Sequence, residues 1–214
     1  MIPKIIHRVW VGGHSPSESL IRNGRLLNEI HPGWRVHLWT DDNWQRISMT
    51  SHRRELIRAA NPNAIKSDLI RHSAIAHLGG IYIDHDIEPL RPFDPLADSF
   101  LTQFTGGAAG DSMAFMGCTQ HHPAVLGWIK HVEDHATPEG LAAMGDEAAR
   151  QHTGARLMSE FYRGRWDTAT LPSDLVCAAP SSMGYNKQAM AIHHKTREWG
   201  YQATGESRYD NSSS

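Results

Sequence analysis

Cysteine is nearly missing from this chain. Two in 214 residues, Cys118 and Cys177, build no disulfide framework and fit no zinc-ligand spacing, so both read as ordinary buried thiols. No apolar run reaches the length of a membrane span. Charge of one sign is lacking too: 21 Lys+Arg against 23 Asp+Glu leave a formal −2, and without a global basic field nucleic acid is not suggested as a partner. No signal-peptide core follows Met1-Ile2-Pro3-Lys4, which predicts a cytoplasmic protein. Neither a repeat nor a linker interrupts the chain. The expectation is therefore one domain over residues 1–204 and a polar, disordered tail over 205–214.

What is there centres on two stretches, Lys66-Ser67-Asp68-Leu69-Ile70-Arg71 and Gly79-Gly80-Ile81-Tyr82-Ile83-Asp84-His85-Asp86. The first reads as a helix. At about 100° per residue, Lys66, Ser73 and His77 share a polar stripe, whereas Asp68 and Arg71 fall opposite it, among Ile65, Leu69 and Ile75. Charges facing a core are costly unless paired or used. An i,i+3 ion pair between them and a functional site are both open readings. Gly79-Gly80 fits a helix C-cap, with Ile81-Tyr82-Ile83 as a short buried strand after it. Asp84 and Asp86 would face one side if that strand continued, and paired carboxylates at a strand end suit Mg²⁺ or Mn²⁺. By itself Asp-x-Asp is weak, since a chain of this length carries one by chance roughly half the time.

Around that centre, strands and helices alternate, as in an open α/β sheet with ligands at the carboxyl ends of its strands. Lys4 to Val11 reads as a buried strand ending in the glycine turn Gly12-Gly13, with Trp10 either in the core or presented to a base. A helix capped by Ser15, with Pro16 at its first position and Glu18 in a capping box, runs to Ile30 and stops at His31-Pro32-Gly33. Further strands are predicted at 35–39, 100–104, 112–117, 175–180 and 190–194, and helices at 51–60, 123–135, 139–150 and 153–162. Asp41-Asp42 reads as a cap for a short helix. Leu126, Ile129 and Val132 form the expected apolar stripe of the 123–135 helix. The stretch from Thr105 to Asp111, with three glycines and two alanines, reads as a mobile loop or long turn rather than a strand.

Taken in order, Ile2 to Gly12, Lys66 to Arg71, Gly79 to Asp86, Thr153-Gly154, and His193-His194 with Trp199 resemble glycosyltransferase family 32, the group of capsular-polysaccharide sugar transferases and yeast-type mannosyltransferases. The same motif order recurs in the clostridial glucosylating toxins. The resemblance implies a GT-A (Rossmann-like) α/β domain with a mixed, mostly parallel sheet flanked by helices. It implies a retaining, metal-dependent hexosyl transfer from a nucleotide-diphosphate sugar, UDP-linked in preference to GDP-linked, to a hydroxyl acceptor such as a glycan, with Mn²⁺ or Mg²⁺ as cofactor. By the same resemblance, His7, Trp10, Gly12 and Asp84 contact the nucleotide, and Asp68, Arg71, Gly79 and Gly80 the sugar. Asp68, Arg71 and Asp86 serve catalysis, Asp84, Asp86, His193 and His194 hold metal, and Trp199 closes over the diphosphate. The chain departs from the family pattern at Ala155, Glu198 and Met113, where proline, serine and asparagine are usual. A catalytically silent nucleotide- or carbohydrate-binding module and a metal-dependent phosphohydrolase are the alternatives.

Overall fold

The computed structural model describes residues 1–97, 102–107, 110–145, 152–154, 157, 168–172 and 187–194. Cys177, Glu198, Trp199, the tail over 205–214 and the expected 175–180 strand lie outside them. The elements run β1 (Ile5–Val9), α1 (Glu18–Ile30), β2 (Arg35–Trp39), a 3₁₀ turn (Trp44–Arg46), α2 (Ser51–Ala59), α3 (Asn63–Leu78), β3 (Gly80–Ile83) and β4 (Ile87–Pro89). They continue with α4 (Asp94–Ala97), β5 (Thr102–Gly107), β6 (Gly110–Cys118), α5 (Pro123–His135), α6 (Pro138–Ala142), β7 (Thr168–Pro172) and β8 (Ala191–His193). Six strands form a sheet in the order β2-β1-β3-β6-β5-β7, and β4 pairs with β8 apart from it. The β1–β2, β1–β3 and β5–β7 pairings are parallel, and β6 runs antiparallel to both β3 and β5. This is the mixed, mostly parallel sheet expected.

Apolar side chains cover both faces. On one, Val9, Tyr82, Met113 and Met116 pack with Leu56, Ile57, Leu69, Ile70 and Trp128, residues of α2, α3 and α5. On the other, Ile6, Ile81, Ile83 and Phe115 pack with Leu27 of α1 and with Phe93 and Leu96 around α4. Each such side chain taken out of water contributes about 1.5–3 kcal/mol. Covered on both sides, β1 is buried along its whole length, although it contains His7 and Arg8.

Four expectations are corrected. First, α1 starts at Glu18 after an extended Ser17, not behind a Ser15 cap; the His14 carbonyl is taken by the Trp10 indole, and Ser17 makes no side-chain cap. Second, Asp41 is no helix cap, because its carboxylate accepts from the Gly12 amide (2.7 Å) and Lys66 Nζ (3.0 Å), tying the turn after β1 to α3. Third, α5 buries Ala124, Val125, Trp128 and Val132 and leaves Leu126 exposed, since the packed stripe is rotated toward α3. Fourth, residues 105–107 and 110–111 are strand and not loop: β5 is flanked by β6 and β7, and backbone pairing on both sides overrides the weak strand preference of glycine. Ser73 is also buried; α3 is sunk between the sheet and other helices, and its hydroxyl donates to the Leu69 carbonyl. No helix among the described residues is long and apolar enough to cross a membrane.

Candidate functional site

Parallel pairing of β1 with β3 sets Ile6 beside Ile81 and His7 beside Tyr82, so the two strands end together. The strand ends at Ile83, so strand alternation does not align the carboxylates. The Asp84 amide still donates to the Ala114 carbonyl (2.8 Å), but the Ile87 amide then donates back to the Asp84 carbonyl (3.2 Å). Asp84-His85-Asp86 is therefore a tight turn leading into β4. The carboxylates of Asp84 and Asp86 and the ring of His193 converge there, with their ligand atoms all within 4.8 Å of one another. His193 is placed by β8: the His194 amide donates to the Asp86 carbonyl (3.0 Å), and His193 Nε2 lies 3.4 Å from Asp86 Oδ1.

A second group of charges adjoins this cluster. Arg71 is buried with Oδ1 of Asp68 at 3.4 Å and Oδ1 of Asp84 at 3.3 Å, and it donates to the Met113 carbonyl and the Ser67 hydroxyl. Its carbon centre sits 4.3 Å from the centroid of the Tyr82 ring, whose hydroxyl donates to Asp84 (2.6 Å). Burial opposes the Arg71 charge, but Tyr82, Asp84, Asp68 and Asp86 outweigh it and raise its pKa further. Asp68 accepts from the Thr153 hydroxyl (3.1 Å). Burial pushes the Asp68 carboxyl up to about 7, against the pull of Arg71 and that hydroxyl. Arg71 Nε is buried with no hydrogen-bond partner among the described residues. The Trp10 ring borders the turn, 5.0 Å from the His85 ring.

Other expected site residues lie elsewhere. His7 is wholly interior: its Nε2 donates to the Gly79 carbonyl (2.8 Å) and its Nδ1 accepts from the Trp39 indole (3.1 Å). Burial pushes it down to about 4 despite the Gly79 bond, so it is neutral, with no nitrogen left for a nucleotide. Gly79 and Gly80 are at the opposite end of β3, about 13 Å from Asp84 at the usual strand rise. Both have positive φ (64° and 105°), and a Cβ would stand 2.7 Å from the Gln120 amide or 2.5 Å from the Ile5 carbonyl. They are packing glycines and not sugar contacts. Gly79 is the C-cap of α3, as expected: its amide donates to the Ile75 carbonyl (2.9 Å) at a φ of 64°. His194 turns away to Glu88 (2.9 Å), leaving His193 as the histidine of the cluster. The Gly12 amide is taken by Asp41, and the Met113 side chain belongs to the core.

Sequence reasoning passed over Arg8, Asn23, Tyr82 and His85. Arg8 and Asn23 both donate to the His85 carbonyl, at 3.2 and 3.3 Å. The signal for Arg8 was a cation inside a strand buried on both faces. Among the described residues neither nitrogen of the buried His85 ring has a hydrogen-bond partner; burial, aided by Arg8, drives its pKa well down and keeps it neutral.

Residues 17–101 match the family model described as "Glycosyltransferase sugar-binding region containing DXD motif". The chain is 28% identical over 133 residues, 61% of its length, to "Inositol phosphoceramide mannosyltransferase 3" of Schizosaccharomyces pombe, of which that covers 37%. It is 31% identical over 143 residues to "Mannosyl phosphorylinositol ceramide synthase CSH1" of Saccharomyces cerevisiae, 63% of this chain and 36% of that protein. The chain thus spans little more than a third of these relatives. Among solved structures, the "PaToxG Glycosyltransferase" superposes with a TM-score of 0.59 at 17% identity, over 74% of this chain and 68% of that one. The UDP-bound glycosyltransferase domain of the YGT toxin gives 0.53 at 9% identity, over 79% of each. The fold is that of the GT-A glycosyltransferases, and the resemblance to sugar transferases with an Asp-x-Asp motif is borne out.

Proposed function

We propose that this chain transfers a hexose from a nucleoside-diphosphate sugar to a hydroxyl acceptor, with retention of anomeric configuration and with a divalent cation held by Asp84, Asp86 and His193. The observation that carries the reading is the convergence of those three side chains at the carboxyl end of a central strand, next to the ion-paired Asp68–Arg71–Asp84 system. Two hard carboxylate oxygens with one imidazole nitrogen fit Mn²⁺ somewhat better than Mg²⁺. When bound, such a cation offsets the charge that develops on the departing diphosphate.

The chain's own residues do the rest. Arg71, kept charged by its neighbours Tyr82, Asp84 and Asp68, has Nε unspent among the described residues and presents a fixed positive charge next to the cation site. Asp68, held by Thr153 and Arg71, is the acceptor for a sugar hydroxyl. Trp10, at the end of β1 beside the turn, offers its ring to the base. The acceptor hydroxyl attacks from the face the diphosphate leaves: the new C–O bond forms at the anomeric carbon as its bond to the phosphate oxygen breaks, and the hydroxyl proton passes to that oxygen. UDP-sugars are the first choice of donor, supported by the UDP in the YGT toxin domain, and GDP-sugars the second. For the acceptor, a glycan hydroxyl and the inositol phosphoceramide named for the yeast relatives are the two candidates.

The test is release of nucleoside diphosphate from UDP- and GDP-sugars, with and without Mn²⁺, in the presence of oligosaccharide or inositol-phospholipid acceptors. The expected result is release that requires Mn²⁺ and stops with EDTA. Nucleotide binding with silence across the panel would identify a non-catalytic module, and phosphate release without sugar transfer a phosphohydrolase.

A further inference from the structure

A strand covered on both faces is expected to be apolar throughout, yet β1 carries Arg8, only 4% exposed. A buried cation is costly unless the fold uses it. Among the described residues, the hydrogen bonds of Arg8 go to backbone carbonyls and not to carboxylates: one guanidinium nitrogen reaches Leu20 O of α1 and His85 O, both at 3.2 Å. His85 is the middle residue of the turn that carries Asp84 and Asp86. Its carbonyl also receives Asn23 Nδ2 from α1 (3.3 Å). Helix α1 is notched for the guanidinium at Gly24, where a Cβ would clash with Arg8 Nη1. A glycine inside a helix costs about 1 kcal/mol relative to alanine, so the notch is a concession to Arg8.

We propose that Arg8, seated in the Gly24 notch and seconded by Asn23, is a positioning residue: it fixes the His85 carbonyl inward and thereby aims the carboxylates of Asp84 and Asp86 at the common point they share with His193. The lever is geometric. The held carbonyl fixes ψ of His85, and a change in that one angle redirects the chain beyond it and carries the Asp86 side chain off the cluster. This rests on the reading of Asp84, Asp86 and His193 as a cation site.

The test is Mn²⁺ binding to the full chain, by titration calorimetry and by the electron paramagnetic resonance signal of free Mn²⁺, for the parent, Arg8→Lys, Asn23→Ala, Gly24→Ala and Asp86→Asn, each checked for folding by near-UV circular dichroism. Lysine keeps the charge but not the forked donor, and Gly24→Ala keeps the arginine but displaces it. The proposal expects folded Arg8→Lys and Gly24→Ala to bind Mn²⁺ roughly tenfold more weakly, and Asn23→Ala two- to threefold. Parent-like affinity in these folded variants, with Asp86→Asn still losing binding, overturns the role of Arg8 alone. Unchanged affinity in Asp86→Asn overturns the cation site itself, and this inference with it. If Arg8→Lys and Gly24→Ala do not fold, Asn23→Ala decides: parent-like affinity there overturns the proposal.

Discussion

Gly80 at the amino end of β3 and Asp84 just past its carboxyl end lie about 13 Å apart and are built by opposite rules. At the amino end, Gly79 and Gly80 are there because nothing larger fits: Pro3, the Gln120 amide and the Ile5 carbonyl fill the space a side chain would need. At the carboxyl end, Asp84, His85 and Asp86 are polar side chains in a confined place, with ring nitrogens of His85 and Nε of Arg71 left without hydrogen-bond partners among the described residues. One end spends its residues on close packing and satisfied bonds. The other holds unspent hydrogen-bonding capacity, which a stable fold tolerates where it has a use. Composition alone does not separate the two, because both are short runs of residues that avoid a strand interior.

The contrast can be broken from either side. Asp86→Asn is expected to have the largest effect, a loss of Mn²⁺-dependent turnover of about 1,000-fold, with thermal stability within about 0.5 kcal/mol of the parent; a comparable loss of stability would place Asp86 with the packing residues. Gly80→Ala is the converse. A Cβ 2.5 Å from the Ile5 carbonyl at φ 105° is expected to destabilise by about 3 kcal/mol in chemical denaturation while the folded fraction keeps its Mn²⁺ affinity.

The smallest expected effect is a slope with pH. In the folded chain Asp68 holds its proton up to about 7, whereas the free carboxyl releases it near 3.8. Between these values the folded state binds the extra proton, so stability falls as pH rises. Measured by denaturation of the metal-free chain between roughly pH 5.5 and 7, the parent is expected to lose about 2 kcal/mol relative to Asp68→Asn. Parallel profiles for the two would show that Asp68 is ionised in the folded state throughout.

Much of the scaffold was legible because it follows from local patterning. The bounds of β2 and α5 were read from apolar spacing and from proline or glycine stops. The inward placement of Asp68 and Arg71 was also readable, since helical periodicity put two charges on an apolar face. What was not legible depends on neighbours distant in sequence. Residues 105–107 and 110–111 are strand because β6 and β7 flank β5, which no local propensity reports. The interior post of His7 and the choice of His193 over His194 are set by partners far along the chain, Trp39 and Gly79 for the first and Asp86 and Glu88 for the second. Arg8 was passed over because a lone cation in a strand is conspicuous only once both faces of that strand are known to be covered.

The two-stranded sheet of β4 and β8 has a further consequence, for the order in which the site is assembled. Asp84 and Asp86 follow β3 directly and take up their turn through nearby contacts, whereas His193 reaches them only when Ile87–Pro89 pairs with Ala191–His193, closing a loop of about 100 residues. Such a closure is among the last contacts a chain makes and among the first it gives up. The carboxylates are thus present in a partly opened chain and their histidine is not. A cation bridging Asp86 and His193 would tie the late contact to the early one, and amide exchange at His194, whose N–H is held by the Asp86 carbonyl, would slow on Mn²⁺ binding more than exchange in the core of β3.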